Sequence, residues 1–418
     1  MKLGERPSRE PGRASSPFRL KGFRFLFASN AASVWGAAIS SVTITWFVYH
    51  VTHSAVDVAY VGIVSFVPGL AFGLVAGVIA DRYNRRTLMV LADGVRAVAL
   101  AILTVFLYLA GFDLVTILVV LVLIYACTAV FGPASQAILP QLVRVHQFED
   151  ANGALEAAGA VSTTLGAAAG GLIVVSLGPV AGIGLNAITY ALSALLLLQI
   201  AAGAGRIPVV ERVGGPSFQS DLVTGFRYLW RNTPVLQVTL GVLPAGFFFW
   251  MVSGFLVVYA SSIPWSSSAL YGFLIASTGL GGALGAICVG RIHARRFAGI
   301  AVGAAVLGLS GAVAVLVLDR SVEFAIAGCF FLGFGISLIN TTYYATVQAV
   351  VPNEVLARVL SIDSVGGLLA APLGLLSGGL LVASEGVMAA YLWAGVGLLV
   401  NGIILLGLRG SRSFGYQG

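Results

Sequence analysis

The sequence predicts an all-α integral membrane protein of 12 transmembrane helices, arranged as two six-helix bundles in a 6+6 pseudo-repeat. Three observations carry that prediction. First, 58% of the 418 residues are hydrophobic and 9% are charged, whereas soluble domains carry about 25% charge. Second, twelve apolar runs are long enough for a bilayer, which needs about 20 residues of helix. They lie near 24–49, 55–80, 88–111, 114–138, 151–177, 180–203, 234–261, 268–290, 298–318, 323–350, 359–384 and 387–408. Third, the chain repeats itself. QAILPQLV (136–143) closes run 4 and QAVVPNEV (348–355) closes run 10, an offset of 212 residues. A membrane β-barrel needs short segments of alternating polarity. These runs are unbroken Leu, Val, Ala, Ile and Gly, so helices, which satisfy their own backbone, are the predicted solution.

The elements follow in order. Residues 1–22 read as a basic cytoplasmic tail that lacks the apolar core and cleavage site of a signal peptide. Residues 23–203 form the first bundle and 234–408 the second, with a cytoplasmic loop at 204–233 between them and a cytoplasmic tail at 409–418. The loop's second part, DLVTGFRYLWRN, puts Leu222, Phe226 and Leu229 on one helical face. It is either an amphipathic helix on the membrane surface or an ordinary linker. The net charge of +7 does not indicate nucleic acid, because the basic residues fall in alternate connectors. Arg82, Arg85 and Arg86 follow run 2, Arg144 follows run 4, Arg227 and Arg231 follow run 6, and Arg291, Arg295 and Arg296 follow run 8. Arg358 follows run 10, and Arg409 and Arg412 follow run 12. Basic connectors stay in the cytoplasm, which predicts a multi-pass cell-membrane protein with both termini cytoplasmic.

Small-residue pairs four apart allow helix backbones to approach. They occur at Gly69, Gly73 and Gly77 in run 2, Gly166 and Gly170 in run 5, Gly281 and Gly285 in run 8, and Gly374 and Gly378 in run 11. Their matched positions predict that Gly166, Gly170, Gly281 and Gly285 lie where the two bundles meet. Cys127, Cys288 and Cys329 stand singly in separate runs, and neither a metal site nor a disulfide framework can be built from them. No cofactor is expected. Near the first connector His50, His53 and Asp57 form either a pH-sensitive group or an exposed polar loop.

The connector GVIADRYNRR (77–86) and its degenerate copy GRIHARR (290–296) resemble the signature loop of the major facilitator superfamily. The long central loop and the duplication agree with that resemblance, which spans nearly the whole chain. VPNEVLARVLS (351–361) and FGPASQAILPQLV (131–143) resemble more narrowly the macrolide- and siderophore-exporter branch. The resemblance implies that helices 1, 4, 7 and 10 line a central cavity and that helices 2, 5, 8 and 11 join the halves. It implies that Gly77 permits close approach, that Asp81 caps or pairs with the start of helix 11, and that Arg82, Arg85 and Arg86 form inner-gate ion pairs, with Arg358 beside them. Asn84 stands where the family has a glycine, a substitution that suits a positive φ. Helix 5 reads GAAAGG, with Ala167 where antiporters of the family carry proline, and helix 4 lacks their arginine.

The candidate ligand-contacting residues follow from these helix numbers. On helix 10, Ser337, Asn340, Thr341 and Tyr344 form one polar stripe, extended by Gln348. Helix 4 offers Tyr125, Thr128, Gly132 and Gln136, and helix 1 offers Asn30, Ser33, Ser40 and Ser41. Helix 7 offers the aromatic run Phe247, Phe248, Phe249 and Trp250. Such stripes serve either as cavity lining or as interhelical glue. Ionisable residues within the membrane mark function, and four are present: Asp93, Arg96, Glu156 and Asp363. They serve proton transfer or a gate-stabilising cluster. Asp93 and Arg96, three apart on one helix, are placed to pair, which leaves Glu156 or Asp363 as the better proton carrier.

Enzyme chemistry is not expected, because no triad, metal or phosphate-cradling pattern is present outside the histidine group. With the resemblance, the sequence points to a secondary active transporter working by alternating access. Its expected work is proton-coupled efflux of bulky lipophilic or amphipathic compounds. A lipid or lysolipid translocator, and a uniporter or uptake carrier without proton coupling, remain alternatives, ahead of a channel or receptor. The expected partners are the small-molecule substrate, protons and the lipid bilayer, with the chain a monomer.

Overall fold

The computed structural model describes residues 16–71, 79, 82–201, 226–291 and 298–414. Among them every regular element is helical. The long helices are α1 (Lys21–Thr52), α2 (Ala55–Val64, helical again over 67–71), α3 (Arg85–Ala110), α4 (Leu114–Leu142), α5 (Phe148–Leu177) and α6 (Pro179–Leu198). After residues outside the description come α7 (Thr233–Ser253), α8 (Ser268–Arg291), α9 (Ala298–Leu318), α10 (Val322–Val350), α11 (Asn353–Glu385) and α12 (Val387–Gly407). Among the described residues, eleven helices are long and apolar enough to cross a membrane, and Ala55–Ala71 is a shorter apolar helix. The predicted seventh run breaks at Gly254 and Phe255 and resumes as a short helix, Leu256–Ser262. The central helix is described only over 226–231. There Leu229 is buried, while Phe226 stacks on Trp230 on the exposed side. Leu222 lies outside the described residues.

The helix ends are written in the sequence. Asn84 caps α3 by accepting the Thr87 N–H at 3.1 Å, and Asp113 caps α4 by accepting the Thr116 N–H at 2.9 Å. Hydrogen bonds from the Thr116 side chain and backbone hold the Asp113 carboxyl below the usual carboxylate range. The backbone of Asn84 has φ −60°, so its place in the loop is that of a cap and not of a left-handed glycine substitute. Gly178 and Gly386 end α5 and α11 with nearly the same dihedrals, φ 82° and ψ 166° against φ 89° and ψ 165°. A positive φ stops a helix at little cost only at glycine. Gly178 is followed by Pro179, whose missing N–H is harmless at the first position of α6.

The packing recurs along the chain. α1 packs on α5 and α6, and α3 on α4 and α6. Likewise α7 packs on α11 and α12, and α9 on α10 and α12. Between these groups the main contacts are α5 with α8 and α2 with α11, the helices that the sequence assigned to the junction. The glycine register within those helices departs from expectation. A Cβ on Gly166 or Gly170 would strike the backbone of Trp35 or Ile39 on α1, not the second half. Gly281 and Gly285 face the Phe330 and Phe334 carbonyls on α10, and Gly374 faces Phe247 on α7. Glycines that meet across the junction include Gly171 against Gly272, Gly379 against Ala59, Gly62 against Leu375 and Gly279 against Thr164. One residue of helix turns a side chain by about 100°, enough to move the glycine pairs from the junction to the interior of each group.

That register gives a test. Gly170→Leu drives a side chain into Ile39, whose carbonyl oxygen lies 2.9 Å from the Cβ position. Overpacking against fixed backbone costs about 1–3 kcal/mol or more. The apparent melting temperature in detergent is expected to fall, as for Gly285→Leu. Gly94, with open space around its Cβ position, is expected to accept Ala without loss. Equal melting of Gly170→Leu and the parent protein contradicts the α1–α5 packing.

Candidate functional site

An apolar cavity of about 510 Å³ lies among α8, α9 and α10, and two others carry the sequence candidates. The larger of these two, about 430 Å³, is walled by α1, α2, α3, α4, α5 and α6. Of the sequence candidates, Asn30, Ser33, Ser40, Tyr125 and Thr128 line it, as do Ser41, Gly132 and Gln136. A second cavity of about 340 Å³ lies among α7, α10 and α11. Phe249, Trp250, Asn340, Tyr344 and Asp363 line it. The 3.6-residue period explains both stripes: residues three and four apart share a helix face.

Three candidates depart from the expected lining. Phe248 packs its ring on Gly397 of α12, because it is turned away from Phe249 by one helical step. Ser337 lies toward Gly282 on α8. Thr341 is half-buried and lines neither cavity. Conversely, Asn186 and Tyr190 on α6 line the larger cavity and were missed. Their signal was present: Asn186, Tyr190 and Ser193 repeat at i, i+4 and i+7 in an otherwise apolar run.

The ionisable residues divide by environment. Asp93 and Arg96 form a buried ion pair at 2.9 Å, and the Ser193 hydroxyl donates to the other Asp93 oxygen at 2.5 Å. Of this pair Arg96 lines the larger cavity. Glu156 is exposed and faces the same cavity, so it is not the buried acid expected. Asp363 is 4% exposed and accepts the Tyr344 hydroxyl at 2.5 Å. Beside it, Tyr343 and Thr239 join their hydroxyls at 2.8 Å. His50 stacks on Trp46, and His53 ends α1 with φ 49°.

Gly77 and Asp81 lie outside the described residues, as do most of the second loop copy and Ser217 of the central loop. Arg82 is exposed. Arg85 donates from Nη1 to the Ala137 carbonyl at 2.5 Å. Arg86 donates to the carbonyls of Leu197 at 3.2 Å and Leu198 at 2.6 Å. Both arginines thus hold carbonyls of the last turns of α4 and α6, where cations are favoured by the helix dipole. They bind inside their own group of helices, which differs from the ion pairs expected of them. Arg358 is half-buried near the start of α11.

A hydrogen bond and stacked rings join the groups at the opposite end. There the Ser268 hydroxyl donates to the Gly171 carbonyl at 3.0 Å, and Trp46 stacks on Tyr271 with centroids 6.4 Å apart. Farther along, Phe66 meets Trp250 edge-on at 5.1 Å. Both cavities lie on the side of this seal that carries the basic connectors.

A family model described as transmembrane secretion effector matches residues 13–412. The multidrug efflux pump Tap of Mycobacterium tuberculosis (strain ATCC 25618 / H37Rv) is 28% identical over 407 residues, covering 93% of this chain and 94% of that protein. Macrolide efflux protein A of Streptococcus pyogenes is 22% identical, covering 91% and 94%. Among solved structures, the nucleoside transporter NupG superposes with a TM-score of 0.73 at 11% identity, covering 92% of this chain and 98% of that one. A bacterial homolog of the human lysosomal transporter Spinster, inward-facing and occupied, gives 0.72 at 15% identity, covering 96% and 98%. Both show the same fold.

The aromatic run supplies a prediction. Phe248→Ala removes a ring packed between α7 and α12 and is expected to cost roughly 3 kcal/mol, read as a lower melting temperature. Asn340→Ala, exposed at the cavity surface, is expected to stay within about 0.5 kcal/mol of the parent. The reverse order contradicts the helix 7 register.

Proposed function

The chain belongs to the transmembrane secretion effector family of the major facilitator superfamily, and from that premise we propose that it exports bulky lipophilic or amphipathic compounds by alternating access, driven by protons. The observation that carries the proposal is the larger cavity: a chamber of about 430 Å³, lined by polar groups of α1 and α4 among apolar ones. It suits a compound too large and too apolar for an ion pathway. The efflux relatives support the direction of transport. Residues 23–203 and 234–408 act as the two moving bundles, with the tails and the 204–233 loop cytoplasmic. The seal of Gly171, Ser268, Trp46 and Tyr271 then closes the outer side, and the cavity opens inward.

Within this proposal the carboxylates have different work. Asp93 is tied to Arg96 and holds the cavity wall. Asp363 has a tyrosine hydroxyl as its partner and can change its proton without breaking an ion pair, which makes it the proton carrier. Arg82, Arg85, Arg86 and Arg358, with Gly77 and Asp81, act at the inner gate: in this conformation Arg85 and Arg86 rest on helix ends, and closure transfers them to partners across the halves.

Two outcomes test this. In proteoliposomes with an imposed proton gradient, the parent protein is expected to concentrate erythromycin or rhodamine 6G. Asp363→Asn is expected to lose that accumulation but keep exchange down a gradient. Equilibration of the probe without accumulation, whether or not the proton gradient is imposed, favours a uniporter or lipid translocator. For orientation, single cysteines replace Ser266 and Val145, both exposed in the structure, in a background lacking the native three. Membrane-impermeant reagent added to intact cells is expected to label position 266 and to miss 145. The opposite pattern inverts the proposed topology.

A further inference from the structure

The larger cavity contains a cation whose donors are only partly used. Arg96 lines that cavity, and its side chain is 3% exposed. Its Nη1 donates to Asp93. Its guanidinium carbon lies 4.8 Å from the Phe131 ring centroid and 5.1 Å from that of Tyr190, and both rings also line the cavity. Nε and Nη2 are buried and have no hydrogen-bond partner. Buried donors are almost always paired, and an unpaired charged one calls for an explanation. These two nitrogens form one edge of the planar fork, the edge suited to a pair of acceptor atoms.

The surrounding charge selects the kind of acceptor. Asp93 already balances the guanidinium, so the free edge lacks hydrogen bonds and not a counter-charge. Glu156 exposes a second carboxylate to the same cavity, which disfavours an anion. We propose that the Nε–Nη2 edge of Arg96 is the polar anchor of the cavity, binding uncharged acceptor oxygens (ester, ketone or amide) of a neutral or cationic amphipathic compound. The compound's flat apolar part lies along Phe131 and Tyr190. This deepens the efflux reading and rests on it. Arg96 becomes a ligand-contacting residue, where the sequence offered proton transfer or a gate-stabilising cluster.

The test uses the full chain in lipid nanodiscs and three probes: erythromycin and rhodamine 6G, which carry ester oxygens, and tetraphenylphosphonium, which carries no oxygen. Arg96→Lys keeps the charge beside Asp93 and removes the planar edge. A second variant, Asp93→Asn with Arg96→Leu, removes both charges together, so no buried charge is left alone. Melting temperatures of both are measured first, and the second variant serves where the first does not fold. The dissociation constants of erythromycin and rhodamine 6G are expected to rise at least about tenfold, while that of tetraphenylphosphonium stays unchanged. Unchanged affinity for the two oxygen-bearing probes overturns the anchor, as does an equal loss for all three. If the parent protein binds none of the three, the efflux reading falls and the anchor with it. If the parent binds them and the variants match it, the anchor alone falls.

Discussion

Hydrocarbon offers no partner to a backbone N–H or C=O, and the rest of the structure follows from that constraint. It forces each span to be a helix and removes the hydrophobic effect as a force between helices. Association then depends on close packing. Gly166 and Gly170 on α5, Gly281 and Gly285 on α8, and Gly374 on α11 provide it, each letting one helix rest on another's backbone. Seams of this kind run inside each group, and one also crosses the junction, where Gly171 meets Ser268 and Gly272. Between the groups the contacts are fewer and include one serine hydroxyl and stacked rings.

The same constraint governs the charges. Arg85 and Arg86 donate to carbonyls near the C-terminal ends of α4 and α6, where the helix dipole favours a cation. Asp93 and Arg96 lie deeper and so must satisfy each other, with Ser193 taking the second carboxylate oxygen. Asp363 is as buried as a carboxylate can usefully be and has only neutral hydroxyl company in Tyr344. Three acidic or basic sites in one membrane protein thus have three solutions: helix carbonyl, ion pair and neutral hydrogen bond. Their freedom to change state rises in that order.

The sequence by itself determined the all-helical membrane class, the positions of nearly all spans and their ends, because hydropathy, caps and glycine stops act over a few residues. Asp113 caps the start of α4, and Gly178 and Gly386 stop α5 and α11, by local chemistry alone, whereas Asn84, read as a positive-φ substitute, caps α3 instead. It also determined most of the cavity lining on α1 and α4, since a polar stripe at helical spacing needs no knowledge of its neighbours. The tertiary structure alone decided which way each face points. A rotation of about 100° per residue separates Phe248, on α12, from Phe249, in the cavity. It separates Gly170, on α1, from Gly171, at the junction. It put Arg96 among Phe131 and Tyr190, residues 35 and 94 positions away along the chain. Periodicity fixes which residues share a face, and only the packing of distant helices fixes what that face meets.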